Sequence, residues 1–183
     1  MYQLKVKKST IKKAGLGLFT DSFIPKNSTI TLYPGKIINK KEYQSMLNTN
    51  PSHIDLFYVI EIDKILIIAN HKSRNKNELG HLINDVDMLD YSQFTFNDGI
   101  RYINSYHDTN CELVLDKKNK LFHVVSLKDI EENSELFIHY GIEYWLPANK
   151  FINITDERLI KMREFLSEID NNNLDFMNKY LSF

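Results

Sequence analysis

Short runs of strand-forming residues recur through the first three quarters of the chain and limit the folds that it can adopt. Many of these runs are rich in Ile, Val, Thr and aromatic residues, and turn-forming residues separate them. The runs occupy residues 4–6, 16–20, 29–33, 56–62, 65–69, 112–115, 122–126 and 135–138. The sequence Lys-Lys-Asn-Lys at 117–120 is predicted to close a hairpin between two of these strands.

Helical signals are fewer, and the clearest one lies near the C-terminus. Residues 40–47 form a short candidate helix, whereas residues 91–106 fit no single pattern. Thr155 can cap a longer helix, which then carries apolar residues at helical spacing: Leu159, Met162, Phe165, Leu166 and Ile169. Residues 174–181 are predicted as a last short helix. The predicted fold class is therefore α+β, with a mainly β body followed by C-terminal helices.

Composition argues against several classes of function. The chain has 183 residues, of which 43% are hydrophobic, so it can bury the core of one domain. Its formal net charge of -1 gives no general attraction to nucleic acid or to an anionic membrane, so neither is an expected partner. Cys111 is the single cysteine, so neither an intrachain disulfide nor a multi-cysteine zinc cluster can form.

The same composition leads us to expect an intracellular location. The first residues lack the apolar core of a secretory signal. The longest wholly apolar run, at 65–69, is too short to cross a bilayer.

Two glycines near the N-terminus mark a place where the backbone needs unusual freedom. Gly15-Leu16-Gly17 lies between a basic stretch and a predicted strand. Glycine allows either a left-handed turn there or the close approach of a ligand. A dinucleotide-binding loop would need a third glycine and a following helix, and this segment offers neither.

Two later runs complete an ordered set with the glycines. Residues 80–85 read Gly-His-Leu-Ile-Asn-Asp, and residues 135–145 read Glu-Leu-Phe-Ile-His-Tyr-Gly-Ile-Glu-Tyr-Trp. The second run places Tyr140 at the end of a short strand, beside a glycine where the chain turns. In this order the three runs resemble the signatures of the SET-domain protein lysine methyltransferases, over roughly residues 6–145.

The resemblance implies S-adenosylmethionine as the cofactor and assigns residues to its site. The glycine run would hold the amino-acid end of the cofactor through Ala14, Gly15, Leu16 and Gly17. Asn84 matches the cofactor-binding Asn of the Asn-x-x-Arg-Phe-Ile-Asn-His signature. Further cofactor contacts are expected from Tyr58, His81, Tyr140 and Trp145.

Tyr140 also matches the catalytic tyrosine of the Glu-Leu-x-Phe/Tyr-Asp-Tyr-Gly signature. Its hydroxyl would accept a hydrogen bond from the substrate amine or direct its dipole at the methyl group, and so fix a near-attack geometry. The resemblance places Tyr33, Ile138 and Tyr144 in the substrate channel. It implies a protein or peptide partner that carries a lysine, with histones as the commonest targets of the family, and no metal is expected.

Three residues depart from these signatures. His81 stands in place of the Arg, Asp85 in place of the His, and His139 in place of the Asp. They favour an alternative function, a degenerate SET-like module that binds proteins without catalysis. A metallohydrolase is a weaker alternative, because His107 and Cys111 lack further ligands at convincing spacing.

The identity of the signature Asn stays open. Residues 101–111 read Arg-Tyr-Ile-Asn-Ser-Tyr-His-Asp-Thr-Asn-Cys and also resemble the signature, which makes Asn104 an alternative to Asn84. If Asn84 is the ligand, Asn110 belongs to the second half of one signature, split by an insertion near 86–109. The two halves would then lie side by side in the threaded pseudoknot of SET domains.

The expected domain organisation follows from this choice. A SET-like catalytic domain would span 1–146, and a helical extension at 147–183 would cover its site.

Overall fold

A computed structural model of the chain describes residues 2–49, 59–62, 65–70, 72–73, 75–89, 95–145 and 164. The predicted C-terminal helices and Tyr58 lie outside the described residues. The chain divides into two compact units. The first contains Met1–Asn84 and Asn110–Ile138, and the second contains Asp85–Thr109 and the chain from His139 onward. The domain boundary expected at 146 stays a prediction.

Short strands dominate the described part of the chain, which confirms the mainly β prediction. In chain order the strands are β1 (Leu4–Lys8), β2 (Leu16–Thr20), β3 (Thr29–Tyr33), β4 (Gly35–Ile38), β5 (Val59–Ile62), β6 (Ile65–Ala69), β7 (Asn84–Asp85), β8 (Cys111–Asp116), β9 (Leu121–Ser126) and β10 (Phe137–Ile138). The α-helices are α1 (Lys40–Thr49), α2 (Phe96–Asn104) and α3 (Ile142–Trp145), and 3-10 helices occupy Gly80–Leu82 and Ser105–Asp108. None of the helices described is long and apolar enough to cross a membrane.

The strands form four small sheets. β1 pairs with β2, β3-β9-β8 and β4-β6-β5 are three-stranded and antiparallel, and β7 pairs with β10. In the β1–β2 hairpin Lys8 lies opposite Leu16 and Lys7 lies opposite Gly17, so Gly15 ends the connecting loop and Gly17 lies within β2. The predicted turn at 117–120 does join two antiparallel strands, β8 and β9.

β4 was not predicted from the sequence, and its first residue shows why. Gly35 pairs with Ala69 of β6. A Cβ at Gly35 would overlap the carbonyl oxygen of Ile68, so only glycine lets the two strands approach. A Pro-Gly step predicts a turn. The strand that pairs with Gly35 lies 34 residues later in the sequence, so the local pattern does not reveal it.

The core of the first unit contains side chains from several sheets. Tyr33, Ile67, Ala69 and Phe122 form one buried cluster. Leu18, Val124 and Leu136 are fully buried. Burial on this scale stabilises the fold by about 25 cal/mol for each Å² of apolar surface removed from water. It gives the glycine loop and the residues around Glu135 a rigid support.

Capping side chains fix where two of the helices begin. Asn39 Oδ1 accepts hydrogen bonds from the backbone N–H groups of Lys41 and Glu42, each at 2.9 Å, at the start of α1. Thr95 and Asp98 form a reciprocal capping box at the start of α2 in the second unit. α2 therefore begins inside the stretch 91–106, which the sequence pattern left undecided.

Candidate functional site

The glycine run forms a loop with open space beside it. Gly15 has φ +79°, and a Cβ built there would have no heavy atom within 4 Å. The loop is closed by a hydrogen bond from the Ser9 N–H to the Gly15 carbonyl at 2.9 Å. Ala14 is half-buried, and Leu16 is 59% exposed. A left-handed glycine beside empty space is the kind of cradle that lets a ligand reach the backbone.

A buried carboxylate fixes this loop from behind. Glu135 is 5% exposed. Its oxygens accept hydrogen bonds from Ser9 Oγ at 2.7 Å, from the Thr10 backbone N–H at 2.7 Å and from Thr10 Oγ1 at 2.6 Å. Hydrogen bonds to an ionised acceptor are roughly twice as strong as neutral ones. The sequence pattern assigned no role to Glu135, although it opens the run 135–145.

Asn84 joins the loop and the carboxylate. Its Nδ2 donates to the Leu16 carbonyl at 2.9 Å and to Glu135 Oε1 at 3.2 Å. A Cβ at Gly17 would overlap the Glu135 carboxylate and lie 3.1 Å from Asn84 Nδ2, so glycine is required at this position too. Residues from all three sequence runs therefore meet within the first unit, around Glu135.

Asn110 holds the next part of the third run. Its Nδ2 donates to the Glu135 carbonyl at 2.8 Å, and its Oδ1 accepts from the Phe137 N–H at 2.7 Å. Cys111 follows at the start of β8 and is 1% exposed, and burial raises the pKa of its thiol to about 12. A neutral, buried thiol is a packing residue and not a nucleophile.

The other predicted residues of the first unit are buried. His81 is 8% exposed on the 3-10 helix Gly80–Leu82. Tyr33 belongs to the core cluster and also lines a cavity of about 630 Å³. Ile138 is the buried last residue of β10.

In the second unit a second buried carboxylate binds two aromatic side chains. Asp85 is 3% exposed, and its Oδ2 accepts from the Tyr102 hydroxyl and from Trp145 Nε1, the latter at 2.8 Å. These hydrogen bonds favour the charged carboxylate, but burial outweighs them and raises the pKa of Asp85 above its ordinary value. Burial and the nearby carboxylate also raise the pKa of Tyr102, which stays a hydrogen-bond donor.

Tyr140 belongs to an aromatic cluster in the same unit. Its ring meets the ring of Tyr144 edge-on, with centroids 4.6 Å apart, and Tyr144 meets Trp145 at 5.2 Å. The chain turns after Tyr140 because Gly141 has φ +87°. Tyr140 is half-buried and Tyr144 is 41% exposed, so this cluster has a solvent-facing side.

The His139 side chain contacts both the ring and the backbone of Tyr102. The two ring centroids are 4.5 Å apart, and His139 Nε2 lies 3.2 Å from the Tyr102 carbonyl oxygen. A carbonyl can only accept, so Nε2 carries the proton in this contact.

The two remaining candidates belong to the second unit. Asn104 ends α2 in the second unit. His107 is exposed on the 3-10 helix Ser105–Asp108. Within the residues that the structure describes, no group of three His, Cys, Asp or Glu side chains could hold a metal ion.

Comparison with known proteins assigns the family. No curated protein matches the chain. A family model described as the SET domain matches residues 15–141, which is more than half of the sequence. The match begins at Gly15 and ends at Gly141, so it includes the first two runs and the third run as far as the glycine after Tyr140. The chain therefore belongs to the SET-domain family.

Proposed function

We propose that the chain is an S-adenosylmethionine-dependent protein-lysine N-methyltransferase. SET domains are generally enzymes of this class. One observation carries the proposal for this chain: Gly17, Asn84 and Glu135, which are distant in sequence, meet in the first unit beside an open glycine loop.

The glycine loop and Asn84 fit the amino-acid end of the cofactor. Gly15 leaves space beside the backbone, and the loop presents main-chain groups at its exposed surface. Within the described residues, both hydrogen bonds of the Asn84 side chain use Nδ2, so Oδ1 can accept from an ammonium group. These contacts support Asn84 over Asn104 for the signature role. We assign His81 and Tyr58 to the same site on the resemblance alone.

The bound cofactor supplies an electrophilic methyl group on a sulfonium. Held by the glycine loop and Asn84, it would present this methyl group to the neutral amine of a substrate lysine. A free lysine has a pKa of about 10.4, so its amine must first lose a proton to water. Aromatic surroundings such as Tyr140 and Tyr144 disfavour the charged amine and lower that pKa.

The Tyr140 hydroxyl has the second catalytic task. It orients the neutral amine by accepting its N–H or by aligning the phenol dipole, which restricts the nucleophile to a productive direction. Tyr33, Ile138 and Tyr144 are assigned to the lysine channel, and Trp145 is assigned to the cofactor side. The partner is a protein lysine, and histones belong in the first panel of substrates.

We also infer the threaded arrangement typical of this family. Asn84 and Asn110 both bond to Glu135, one to its carboxylate and the other to its carbonyl. This supports the interpretation of 80–84 and 110–111 as two halves of one signature, separated by the insertion near 86–109. A helical extension at 147–183 that covers the site and an intracellular location remain parts of the same proposal.

Calorimetric titration with S-adenosylmethionine, followed by transfer of a radiolabelled methyl group to histones and to a cell lysate, tests this function. We expect wild type to bind the cofactor and to label lysine. Asn84→Ala should weaken cofactor binding by about tenfold or more, the value of one or two lost hydrogen bonds. Asn119→Ala, a substitution in the exposed β8–β9 turn, is the matched control and should bind normally.

Two outcomes would contradict the proposal. Wild type that binds no cofactor would remove its basis. Wild type that binds cofactor and peptide but transfers no methyl group would favour the non-catalytic binding module.

A further inference from the structure

Asp85 joins two helices of the second unit through one oxygen atom. Tyr102 of α2 and Trp145 of α3 both donate to Oδ2. The carboxylate is 3% exposed, so water cannot readily replace either donor. Removing a partner from a buried polar contact costs more than such a contact contributes when intact. The conformation of α3 therefore depends on Asp85.

The same carboxylate reaches the segment that carries Tyr140, at both ends of that segment. The backbone amide of Tyr140 lies close enough to favour the charged form of Asp85. Trp145 packs edge-on against Tyr144, which in turn packs edge-on against Tyr140. The His139 ring packs at a tilt of 39° against Tyr102, the other donor to Asp85. Each contact restricts the direction in which the Tyr140 ring can point.

We infer that Asp85 is a positioning residue, which holds residues 139–145 through Tyr102 and Trp145 and so fixes the Tyr140 phenol for methyl transfer. The inference rests on the proposed function for its catalytic consequence, but the contacts do not depend on it. Two departures from the family signatures become one feature on this interpretation. Asp85 has a carboxylate where the first signature has a histidine, and His139 has an imidazole where the second signature has an aspartate. Both side chains contact Tyr102.

The charge of Asp85 is central to this role. Tyr102 O–H and Trp145 N–H are both donors, and an ionised carboxylate oxygen accepts both more strongly than a protonated one. Protonation of Asp85 should therefore loosen α3. Among the described residues, the titratable groups that act on the Asp85 carboxylate are Tyr102, which donates to it, and His139, whose charged form favours its ionisation. Arg101 pairs with Asp87, so that carboxylate is neutralised separately.

The chain has one tryptophan, so its fluorescence reports on this contact directly. We expect the emission of wild type to change as the pH falls, with a midpoint above 3.8, the ordinary value for an aspartate. Asp85→Asn should abolish this transition, and Tyr102→Phe should raise its midpoint because a donor to the charged form is lost. Asp87→Asn is the matched control and should keep the transition. An unchanged transition in Asp85→Asn, with circular dichroism showing a folded protein, would overturn the inference.

Kinetics test the catalytic consequence in the full chain. Asp85→Asn should lower kcat by about tenfold and change the KM for S-adenosylmethionine by a smaller factor, because of the proposed cofactor contacts Trp145 bonds to Asp85 whereas the glycine loop is held by Glu135. The part of the acid decline in wild-type kcat that follows protonation of Asp85 should be missing in the variant, whereas the part that follows protonation of the substrate lysine should remain. An unchanged kcat and pH profile would contradict the inference. If wild type transfers no methyl group, the proposed function fails, and the fluorescence titration alone decides whether Asp85 holds the segment.

Discussion

Glu135 and Asp85 are both buried carboxylates, and their hydrogen-bond partners give them different tasks. Glu135 accepts from two hydroxyl groups, one backbone amide and one side-chain amide. Asp85 accepts from two aromatic donors, and burial dominates its pKa. The first carboxylate is well satisfied and stabilises a loop. The second retains a cost of burial, because its hydrogen bonds do not offset its removal from water.

Replacing Glu135 by Gln should destabilise the protein by about 2–4 kcal/mol, because an amide cannot accept from all of these donors and places its own NH₂ among them. Equilibrium unfolding in urea measures the change. Glu112→Gln removes an exposed carboxylate on β8 and should cost less than about 0.5 kcal/mol. Equal effects for the two variants would contradict the network assigned to Glu135.

The raised pKa of Asp85 should make the free energy of unfolding depend on pH. Between 3.8, the ordinary aspartate value, and the higher native pKa, the folded state binds more protons at Asp85 than the unfolded state does. This contribution to the unfolding free energy is therefore largest at low pH and is lost as the pH rises through that window. The difference in stability between Asp85→Asn and wild type should accordingly grow in favour of the variant as the pH rises. A difference that is constant with pH would be contrary to this account.

Cys111 should be inert in the folded protein. Its thiol is 1% exposed and its pKa is raised to about 12, so almost no thiolate exists near neutral pH. Ellman's reagent should react with one thiol in denaturant and with essentially none before unfolding. Rapid reaction of the native protein would show that Cys111 is accessible and would reopen a role for it.

At the scale of elements, the sequence predicted the strands that are rich in strand-forming residues and bounded by turn residues. The runs at 16–20, 29–33 and 65–69 correspond to β2, β3 and β6 with the same bounds. β4 and β7 were missed because their pairing is decided by partners far away in the sequence. The run 135–138 is regular only in β10, whereas Glu135 forms an isolated bridge to Phe19. Strand formation there depends on tertiary contacts that local composition does not contain.

Asn110 should be the residue that holds the start of β10. Asn110→Ala removes the donor to the Glu135 carbonyl and the acceptor of the Phe137 N–H, so about 2–4 kcal/mol of stability should be lost. Hydrogen exchange should show faster exchange at the Phe137 amide than in wild type. Protection of that amide in the variant equal to wild type would show that the backbone is held by other contacts.

At the scale of the whole molecule, the sequence located the residues that we propose for cofactor binding better than the residues that support them. The loop 14–17 and Asn84 could be found because their types are unusual for their surroundings and follow a known order. The supporting contacts of Glu135, and those of Asp85 with Tyr102 and Trp145, join residues up to 126 positions apart. No local pattern records such pairs, so only the folded structure reveals them.

The measurement that tests the central claim most directly is the single-turnover rate of methyl transfer by wild type beside Tyr140→Phe. Tyr43→Phe on α1 is the matched control, because it removes a phenol hydroxyl from a residue with no assigned role. The account predicts that Tyr140→Phe binds S-adenosylmethionine normally but transfers its methyl group at least about a hundredfold more slowly, the loss expected when a positioning group is removed. It predicts a wild-type rate for Tyr43→Phe. A Tyr140→Phe variant that methylates lysine at the wild-type rate would contradict the account.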